Sequence, residues 1–256
     1  MARINWTREE LILAFNLYCK IPFGTIHNRN PQIVSLAKIL HRSPSAVSWK
    51  LANLARLDPS LQDRNIAGAS HGSQLDIAVW NEFTSDWPRL AYESERLLAK
   101  WQRRRVEDVS DIDAQGLPRA GKERQAWVKQ RVNQSFFRRT VLASYNGRCC
   151  ITGLGVPELL VASHIVPWPQ DEANRVNPRN GLCLNALHDR AFDSGLMTVT
   201  PEFRVKISAA VVEAVNDVGA RALLALFNGR RMTLPGRFLP DLDFIQYPNR
   251  HVFVGR

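Results

Sequence analysis

The chain has few cysteines and no long hydrophobic run. Its four cysteines are Cys19, Cys149, Cys150 and Cys183, and no two of them have the C-x-x-C spacing that clamps zinc. Cys149 and Cys150 are adjacent and therefore an improbable disulfide, so we expect reduced, mostly buried thiols and no structural zinc. The longest apolar run, residues 222–227, is far shorter than the ~18 residues of a membrane-spanning helix.

The composition also lacks the extremes of disordered or fibrous proteins. Of the 256 residues, 45% are hydrophobic and 23% are charged, as in ordinary globular domains. Residues 1–6 show no basic stretch leading into an apolar one, so no signal peptide is visible. We therefore predict a cytoplasmic globular protein, outside the membrane, with one large or two smaller domains.

Acidic residues are outnumbered by basic ones. The 34 Lys and Arg exceed the 24 Asp and Glu, which gives a net charge of +10, and only 7 of the 34 are lysine. The planar arginine fork suits bidentate phosphate contacts, so the composition favours a phosphate-rich partner. A generally basic proteome is the open alternative.

The positive charge is unevenly distributed along the chain. Residues 101–140 carry 10 basic and 5 acidic side chains, whereas residues 141–200 carry 4 and 5. A nearly neutral segment bracketed by basic ones suits a reaction centre with phosphate-binding flanks. The alternative is that the middle arginines only solvate helix faces. These are Arg103, Arg104, Arg105, Arg138 and Arg139.

The first hundred residues have helical patterns. Thr7 and Glu10 have the spacing of a capping box, which predicts a helix over residues 8–20. Asn30-Pro31 predicts the start of a second helix, and Ser43-Pro44 the start of a third.

The second and third of these helices have the spacing of a helix-turn-helix. In that interpretation one side of the third helix faces a major groove of DNA. The residues on or near that side are Ser45, Ser48, Trp49, Asn53 and Arg56. The alternative is a three-helix packing unit without base contacts, which the absence of glycine from the turn favours.

Two polar breaks interrupt the helical patterns. Residues 67–74 predict a small-residue loop before another helix, and residues 108–121 predict a linker. We therefore predict a helical DNA-recognition domain over residues 1–107. The second domain, residues 122–256, opens with a basic amphipathic helix over residues 124–143.

The segment from residue 148 to residue 200 is the most informative. An apolar strand over residues 158–162 leads to Ser163-His164, and prolines after it exclude a helix. Asn180-Gly181 is typical of a turn, a brief second strand follows, and His188 lies on a predicted helix over residues 185–192. The order is strand, loop, strand and helix, with a histidine at each end.

This segment resembles the HNH, or ββα-metal, endonucleases. His164, Asn180 and His188 occur in the family's order, within phrases similar to those of bacterial restriction-type HNH proteins. The phrases are Ser-His-Ile-Val-Pro-Trp, Asn-Pro-Arg-Asn-Gly-Leu-Cys-Leu and His-Asp-Arg-Ala-Phe-Asp. The resemblance implies a ββα-metal nuclease domain. Together with the helical and hairpin patterns elsewhere in the chain, it predicts an α+β fold, in which a helical, helix-turn-helix-like N-terminal domain precedes this nuclease domain with additional helices and a hairpin.

The resemblance also implies a role for each motif residue. Cutting a phosphodiester bond requires a base for the attacking water and a cation that offsets charge in the transition state. By resemblance His164 is that base, Asn180 ties down the loop and orients the imidazole, and His188 binds a single Mg²⁺ or Mn²⁺ ion.

Ser163 departs from the family pattern. Many members have an acidic or histidine metal ligand at this position, and a hydroxyl is a poorer ligand for a hard cation. Ser163 then binds weakly, water takes its place, or a nearby carboxylate of Asp189 or Asp193 substitutes. Asp193, shortly before Gly195, is equally suited to ending a helix. Weaker metal binding or a preference for Mn²⁺ would follow.

The last 56 residues are less informative. Residues 197–199 and 204–207 predict a hairpin, followed by an apolar helix over residues 209–227. Arginines in this tail either contact phosphates or are merely solvated; they are Arg230, Arg231 and Arg237. For the whole chain, the predicted DNA contacts are Arg138, Arg139, Arg179, Ser45, Ser48 and Arg56.

Together these features predict a metal-dependent DNA endonuclease acting on double-stranded DNA. In a prokaryotic setting it would be a restriction enzyme, with modified DNA as one candidate target. The alternatives are a non-catalytic DNA-binding regulator with a decayed motif, and a nonspecific or RNA-directed nuclease. One active site per chain is compatible with a homodimer that cuts both strands.

Overall fold

The computed structural model describes residues 5–64, 72–110, 112, 118, 120–213 and 217–255. The chain forms two compact units, Met1–Thr140 and Val141–Arg256. No helix in these described ranges is long and apolar enough to cross a membrane. Half of the predicted linker lies outside the described residues, and the predicted domain ranges stay a prediction.

The described part of the first unit is helical. Its helices are α1 Arg8–Lys20, α2 Pro31–Ile39, α3 Pro44–Ala55, α4 Pro59–Gln62, α5 Gln74–Thr84, α6 Trp87–Gln102, α7 Val106–Val109 and α8 Gly121–Ser144. The last four residues of α8 belong to the second unit. Of the predicted loop at residues 67–74, residues 67–71 lie outside the described residues.

Local capping starts the first three helices where the sequence predicts. Thr7 Oγ1 accepts a hydrogen bond from the Glu10 amide, and Glu10 Oε2 accepts one from the Thr7 amide at 2.7 Å. The predicted helix over residues 8–20 is confirmed. The Asn30 and Ser43 side chains cap α2 and α3. A proline follows each cap, and its missing amide hydrogen costs nothing there because the first amides of a helix have no partner within the helix.

The third helix differs from its prediction at one residue. Ser45 and Trp49 are exposed, but Asn53 is only 4% exposed. The placement of Asn53 on a groove-facing side is therefore wrong. The physical reason is that the C-terminal half of α3, from Lys50 onward, is buried on almost all sides.

Helix α1 lies at the centre of the first unit. It packs against α2, α3, α5 and α6. Leu11 and Phe15 are completely buried, and the rings of Phe15 and Trp80 stack with centroids 4.8 Å apart. A helix that is apolar on nearly every side is stable only with neighbours on every side, which explains this position.

Most of α8 belongs to the helical unit. The Phe136 ring lies 6.3 Å from the Trp87 ring of α6, and Arg124 forms an ion pair with Glu107 at 2.7 Å. The sequence predicts this helix but assigns it to the second domain. Its apolar side, with Phe136, packs into the core of the first unit.

The second unit is mixed. Its described strands and helices are β1 Leu160–His164, β2 Gly181–Asn185, α9 Ala186–Asp193, β3 Met197–Val199, β4 Val205–Ile207, α10 Ala209–Val212, α11 Val218–Leu223 and α12 Leu242–His251. β1 and β2 are antiparallel, with His164 opposite Gly181. β3 and β4 form a second antiparallel pair, so the predicted hairpin is confirmed.

The predicted continuous helix over residues 209–227 is wrong. Helix α10 ends at Val212, and Asp217 caps a new helix by accepting a hydrogen bond from the Ala220 amide at 2.9 Å. Residues 214–216 lie outside the described residues. A side-chain cap satisfies backbone donors that a continuous helix would bond internally, so apolar periodicity alone overestimates helix length here.

Candidate active site

The β1, β2 and α9 elements frame the candidate site. β2 ends at Asn185, whose Oδ1 accepts a hydrogen bond from the His188 amide at 2.9 Å and so caps α9. The helix ends at Asp193, and Gly195 follows with φ +70. A Cβ atom there would lie 2.2 Å from the Val252 carbonyl oxygen, so this turn requires glycine.

His164 lies at the end of β1 and is half-buried. Its Nε2 lies 2.9 Å from the carbonyl oxygen of Arg175. Because a carbonyl can only accept, Nε2 carries the proton, and Nδ1 is the basic nitrogen of the neutral ring. The ring also meets Trp168 edge to face at 5.4 Å, which restricts its orientation. Trp168 ends the phrase Ser-His-Ile-Val-Pro-Trp, but nothing in the sequence pattern pairs it with His164.

The surroundings of His164 lower its pKa. Burial is the largest cause, since it disfavours the charged ring, while the Arg175 carbonyl and the negative charge of Asp189 oppose it. The ring is therefore neutral, and able to take a proton, at neutral pH.

Asn180 ties together the loop that follows His164. It is completely buried, and its Oδ1 accepts a hydrogen bond from the Val166 amide at 2.8 Å. Its Nδ2 donates to the carbonyls of Val166 and Asn174 at 3.2 and 3.3 Å. The Asn180 side chain thus anchors both the beginning and the later part of the loop between β1 and β2.

His188 has a different environment from the one expected of a metal ligand. It is 1% exposed, its Nε2 lies 2.8 Å from the Leu223 carbonyl oxygen, and its Nδ1 lies 3.4 Å from Asn185 Nδ2. The Phe227 ring meets it edge to face at 5.2 Å. Both ring nitrogens therefore have neighbours within the protein.

Cys149 is a neighbour of His188 that the sequence did not predict. Burial raises the pKa of its thiol, but hydrogen bonds with His188 and Thr152 outweigh burial and bring the pKa to about 6. Sequence spacing gave no signal for this contact because 39 positions separate the two residues.

The side chains of Ser163 and His164 point in different directions. It is 3% exposed, and its Oγ has no hydrogen-bond partner among the described residues. Adjacent residues of a strand project to opposite faces, so the Ser163 hydroxyl points away from the His164 ring. The side chains of Ser163 and His164 therefore do not point toward one shared ligand position.

One carboxylate of α9 acts on His164, and it also acts on a second carboxylate of the same helix. The charge of Asp189 acts on His164, and Asp189 and burial together raise the pKa of Asp193. Burial is the larger cause for Asp193. The two residues are four apart, so they share one side of the helix.

The predicted DNA contacts occupy varied environments. Ser45, Arg138 and Arg139 are exposed, while Ser48 and Arg56 are half-buried. In the second unit, Arg179 pairs with Asp241 at 3.1 Å.

The predicted phosphate contact through Arg237 is wrong. Arg237 is completely buried, and its guanidinium lies 5.6 Å from the centre of the Phe238 ring. The packing therefore excludes contact between this side chain and a phosphate, whereas Arg230 and Arg231 are exposed.

Residues 149–200 match the family model described as HNH endonuclease. The match begins at Cys149 and includes β1, β2, α9 and β3, so the predicted resemblance is confirmed. No curated protein matches the chain. HNH nucleases generally depend on a divalent metal ion. In the described ranges, no three His, Cys, Asp or Glu side chains are grouped so that they could hold one.

Proposed function

Since residues 149–200 form an HNH endonuclease domain, whose substrates are nucleic acids, we propose that the chain is a metal-dependent endonuclease that cuts double-stranded DNA. The observation that carries this proposal is the environment of His164. Its Nε2 proton is held by the Arg175 carbonyl, Nδ1 is basic, and the carboxylate of Asp189 acts on the ring.

In the proposed reaction, His164 Nδ1 takes a proton from a water molecule. The water oxygen bonds to phosphorus, the bond to the leaving 3′ oxygen breaks, and that oxygen acquires a proton from solvent. The imidazolium so formed is stabilised by the Arg175 carbonyl and by the charge of Asp189. Asn180 keeps the loop, and with it the Arg175 carbonyl, in position.

Asp189 and Asp193 are the residues of α9 best suited to hold the cation. Carboxylate oxygens are the ligands that Mg²⁺ and Mn²⁺ prefer, the charge of Asp189 acts on His164, and Asp193 is close enough to Asp189 for the two charges to interact. A bound ion would offset charge on the phosphate group. His188, whose nitrogens bond within the protein, would instead anchor α9 to the Leu223 backbone.

The helical unit would recognise the DNA. Its positive residues and the exposed side of α3, with Ser45 and Trp49, support this role, and Ser48, Arg56 and Arg138 are further proposed contacts. Arg179, within the nuclease domain, would contact phosphates close to the site of cutting. A restriction role, an effect of base modification on cutting, and a homodimer with one active site per protomer complete the proposal.

A plasmid-nicking assay with Mg²⁺ and with Mn²⁺ tests the proposal. The wild-type protein should cut, and His164→Ala should lose about 10² to 10⁴ in rate while still binding DNA, because the base acts only in the transition state. His251→Ala removes an exposed histidine of the same unit and should cut normally. Full cutting by His164→Ala contradicts the assigned base.

If the wild-type protein binds plasmid but cuts with neither ion, the regulator with a decayed motif is the correct interpretation. Parallel assays on methylated, hydroxymethylated and unmodified DNA and on RNA separate a restriction enzyme from a nonspecific or RNA-directed nuclease.

A metal titration separates the two proposed ligand sets. Asp189→Asn and Asp193→Asn should raise the Mg²⁺ or Mn²⁺ concentration needed for half-maximal cutting and weaken Mn²⁺ binding measured by calorimetry. His188→Gln, with a side chain that can still donate to the Leu223 carbonyl, should leave both values unchanged. A shift confined to His188→Gln would return the ligand role to His188.

A further inference from the structure

We infer that one side of α8 is a docking surface for the phosphate backbone of duplex DNA. The surface consists of Trp127, Arg131, Gln134 and Arg138, called here the α8 face. The inference rests on the proposed function, and it adds Trp127, Arg131 and Gln134 to the DNA contact that the sequence predicts at Arg138. Spacings of four, three and four residues place these side chains on one side of the helix.

The opposite side of α8 already has its packing partners. Val128, Val132 and Phe136 are at most 5% exposed, whereas Trp127 is 41% exposed. Arg131 and Arg138 are exposed as well. An indole left in solvent on a helix whose other side forms the core is typical of a contact surface, because burial would otherwise be favourable.

The charge of α8 identifies the partner. From residue 124 to residue 144 the helix has no Asp or Glu, while five of its residues are basic: Arg124, Lys129, Arg131, Arg138 and Arg139. Arg124 is paired with Glu107. Two arginines and an amide around a single indole offer too little apolar area for a membrane surface and match a row of phosphates.

Trp127 orients one of the arginines. The Arg131 guanidinium lies 5.8 Å from the centre of the Trp127 ring, within the range of a cation–π contact. A guanidinium stacked on an aromatic ring loses less conformational entropy when it binds a phosphate. Trp127 therefore acts as a positioning residue for Arg131.

Arg139 lies on a different side of the helix. Its charge contributes to the lowered pKa of Lys20, for which burial is the main cause. Arg139 therefore faces the pocket lined by Lys20, Glu95 and Leu98. This difference makes Arg139 a matched comparison for Arg138, because the charge change is the same and the position differs by one residue.

The test is DNA binding by the full chain carrying His164→Ala, so that the DNA stays intact. Fluorescence anisotropy with a labelled duplex of about 30 base pairs gives Kd over a series of salt concentrations. Arg131→Ala with Arg138→Ala should weaken binding at least tenfold and lower the salt slope by about 2, because each of the two arginines neutralises one phosphate. Arg96→Ala, an exposed arginine of α6, should change neither value, and Arg139→Ala should have a smaller effect than Arg138→Ala.

A double-mutant cycle tests the positioning role. Trp127→Ala should weaken binding about threefold alone and hardly at all in the Arg131→Ala background, because its effect passes through Arg131. Thermal unfolding must be unchanged in each variant. Equal losses in both backgrounds would contradict the positioning role.

The outcomes separate this inference from the proposed function. If the double variant binds like its parent, the α8 face is excluded although the protein binds DNA. If the double variant loses affinity but the wild-type protein cuts no nucleic acid, the surface stands and the nuclease proposal fails. A parent that does not bind duplex DNA overturns both, and displacement of DNA by polyglutamate at equal charge concentration would show that the partner is an acidic polypeptide.

Discussion

The two units differ in the hydrogen-bond partners of their buried polar side chains. In the helical unit two pairs of buried charges bond to each other: Lys50 with Asp76 at 2.7 Å and Lys20 with Glu95. In the second unit the buried polar side chains at the site, Asn180 and His188, bond mostly to backbone groups: Asn180 to the loop between β1 and β2, and His188 to the end of α11.

The two kinds of bond have different roles, one in stability and the other in the geometry of the site. A buried charge pair is costly to break and has no residual capacity for a ligand, so it holds helices together. A side chain bonded to loop carbonyls fixes the loop and the ring it carries. The helical unit should therefore respond to mutation mainly in stability, and the second unit mainly in catalysis.

The largest expected effect is in the helical unit. Asp76→Ala leaves the Lys50 ammonium buried without its partner, and it should lower the free energy of unfolding by about 3 to 5 kcal/mol. Chemical denaturation followed by tryptophan fluorescence measures it. Asp108→Ala, which removes an exposed pair with Arg105, should leave the midpoint unchanged. Equal losses of stability in Asp76→Ala and Asp108→Ala would show that the buried pair is no more important than the exposed one.

The second effect is catalytic. Asn180→Ala removes three hydrogen bonds from the loop around His164 and should lower kcat about 100-fold through misplacement of the ring. Asn249→Ala is the matched control, because it removes two hydrogen bonds to the Val199 and Ile245 carbonyls of the same unit without touching that loop. It should lower stability but not kcat, and a similar kcat loss in both variants would show that the loop is not special.

The third effect is a change in pH dependence. The neutral form of His164 is the base and its pKa is lowered, so cutting should be present above that pKa and be lost as the pH falls through it, with a midpoint below the ordinary 6.5. In the metal-free protein, Asp189→Asn removes a charge that raises the pKa of His164, so it should move that pKa, measured by NMR titration, to a lower value. Asp243→Asn, an exposed acid of α12, should leave it in place. A midpoint above 6.5 in the wild type is the contrary result.

The smallest effect returns to the helical unit. Thr7→Ala removes the side-chain half of the capping box of α1 and should lower the free energy of unfolding by about 1 kcal/mol, with cutting unchanged. Thr7→Ser keeps the hydroxyl and should unfold like the wild type. A loss in Thr7→Ser as large as in Thr7→Ala would assign the effect to packing rather than to the cap.

Local signals predicted the parts of the fold that depend on near neighbours. Caps and prolines at Thr7, Asn30 and Ser43 set helix starts, because the atoms that bond there are three residues apart or fewer. The same reasoning failed at residues 209–227, where apolar periodicity did not reveal the cap at Asp217. A periodic apolar side also does not specify its partner, so the pattern of α8 could not show that Phe136 packs beside Trp87.

For the candidate site too, local features could be predicted from the sequence and contacts between distant residues could not. The sequence alone determined that an HNH motif lies within residues 149–200, because residue types at fixed spacing identify a local strand, loop, strand and helix. Only the tertiary structure decided that the Ser163 hydroxyl is buried without a hydrogen-bond partner among the described residues, and that the His188 ring bonds to the Leu223 carbonyl 35 positions later. Burial and contacts between distant segments depend on how the whole unit packs, and no spacing in the sequence records them.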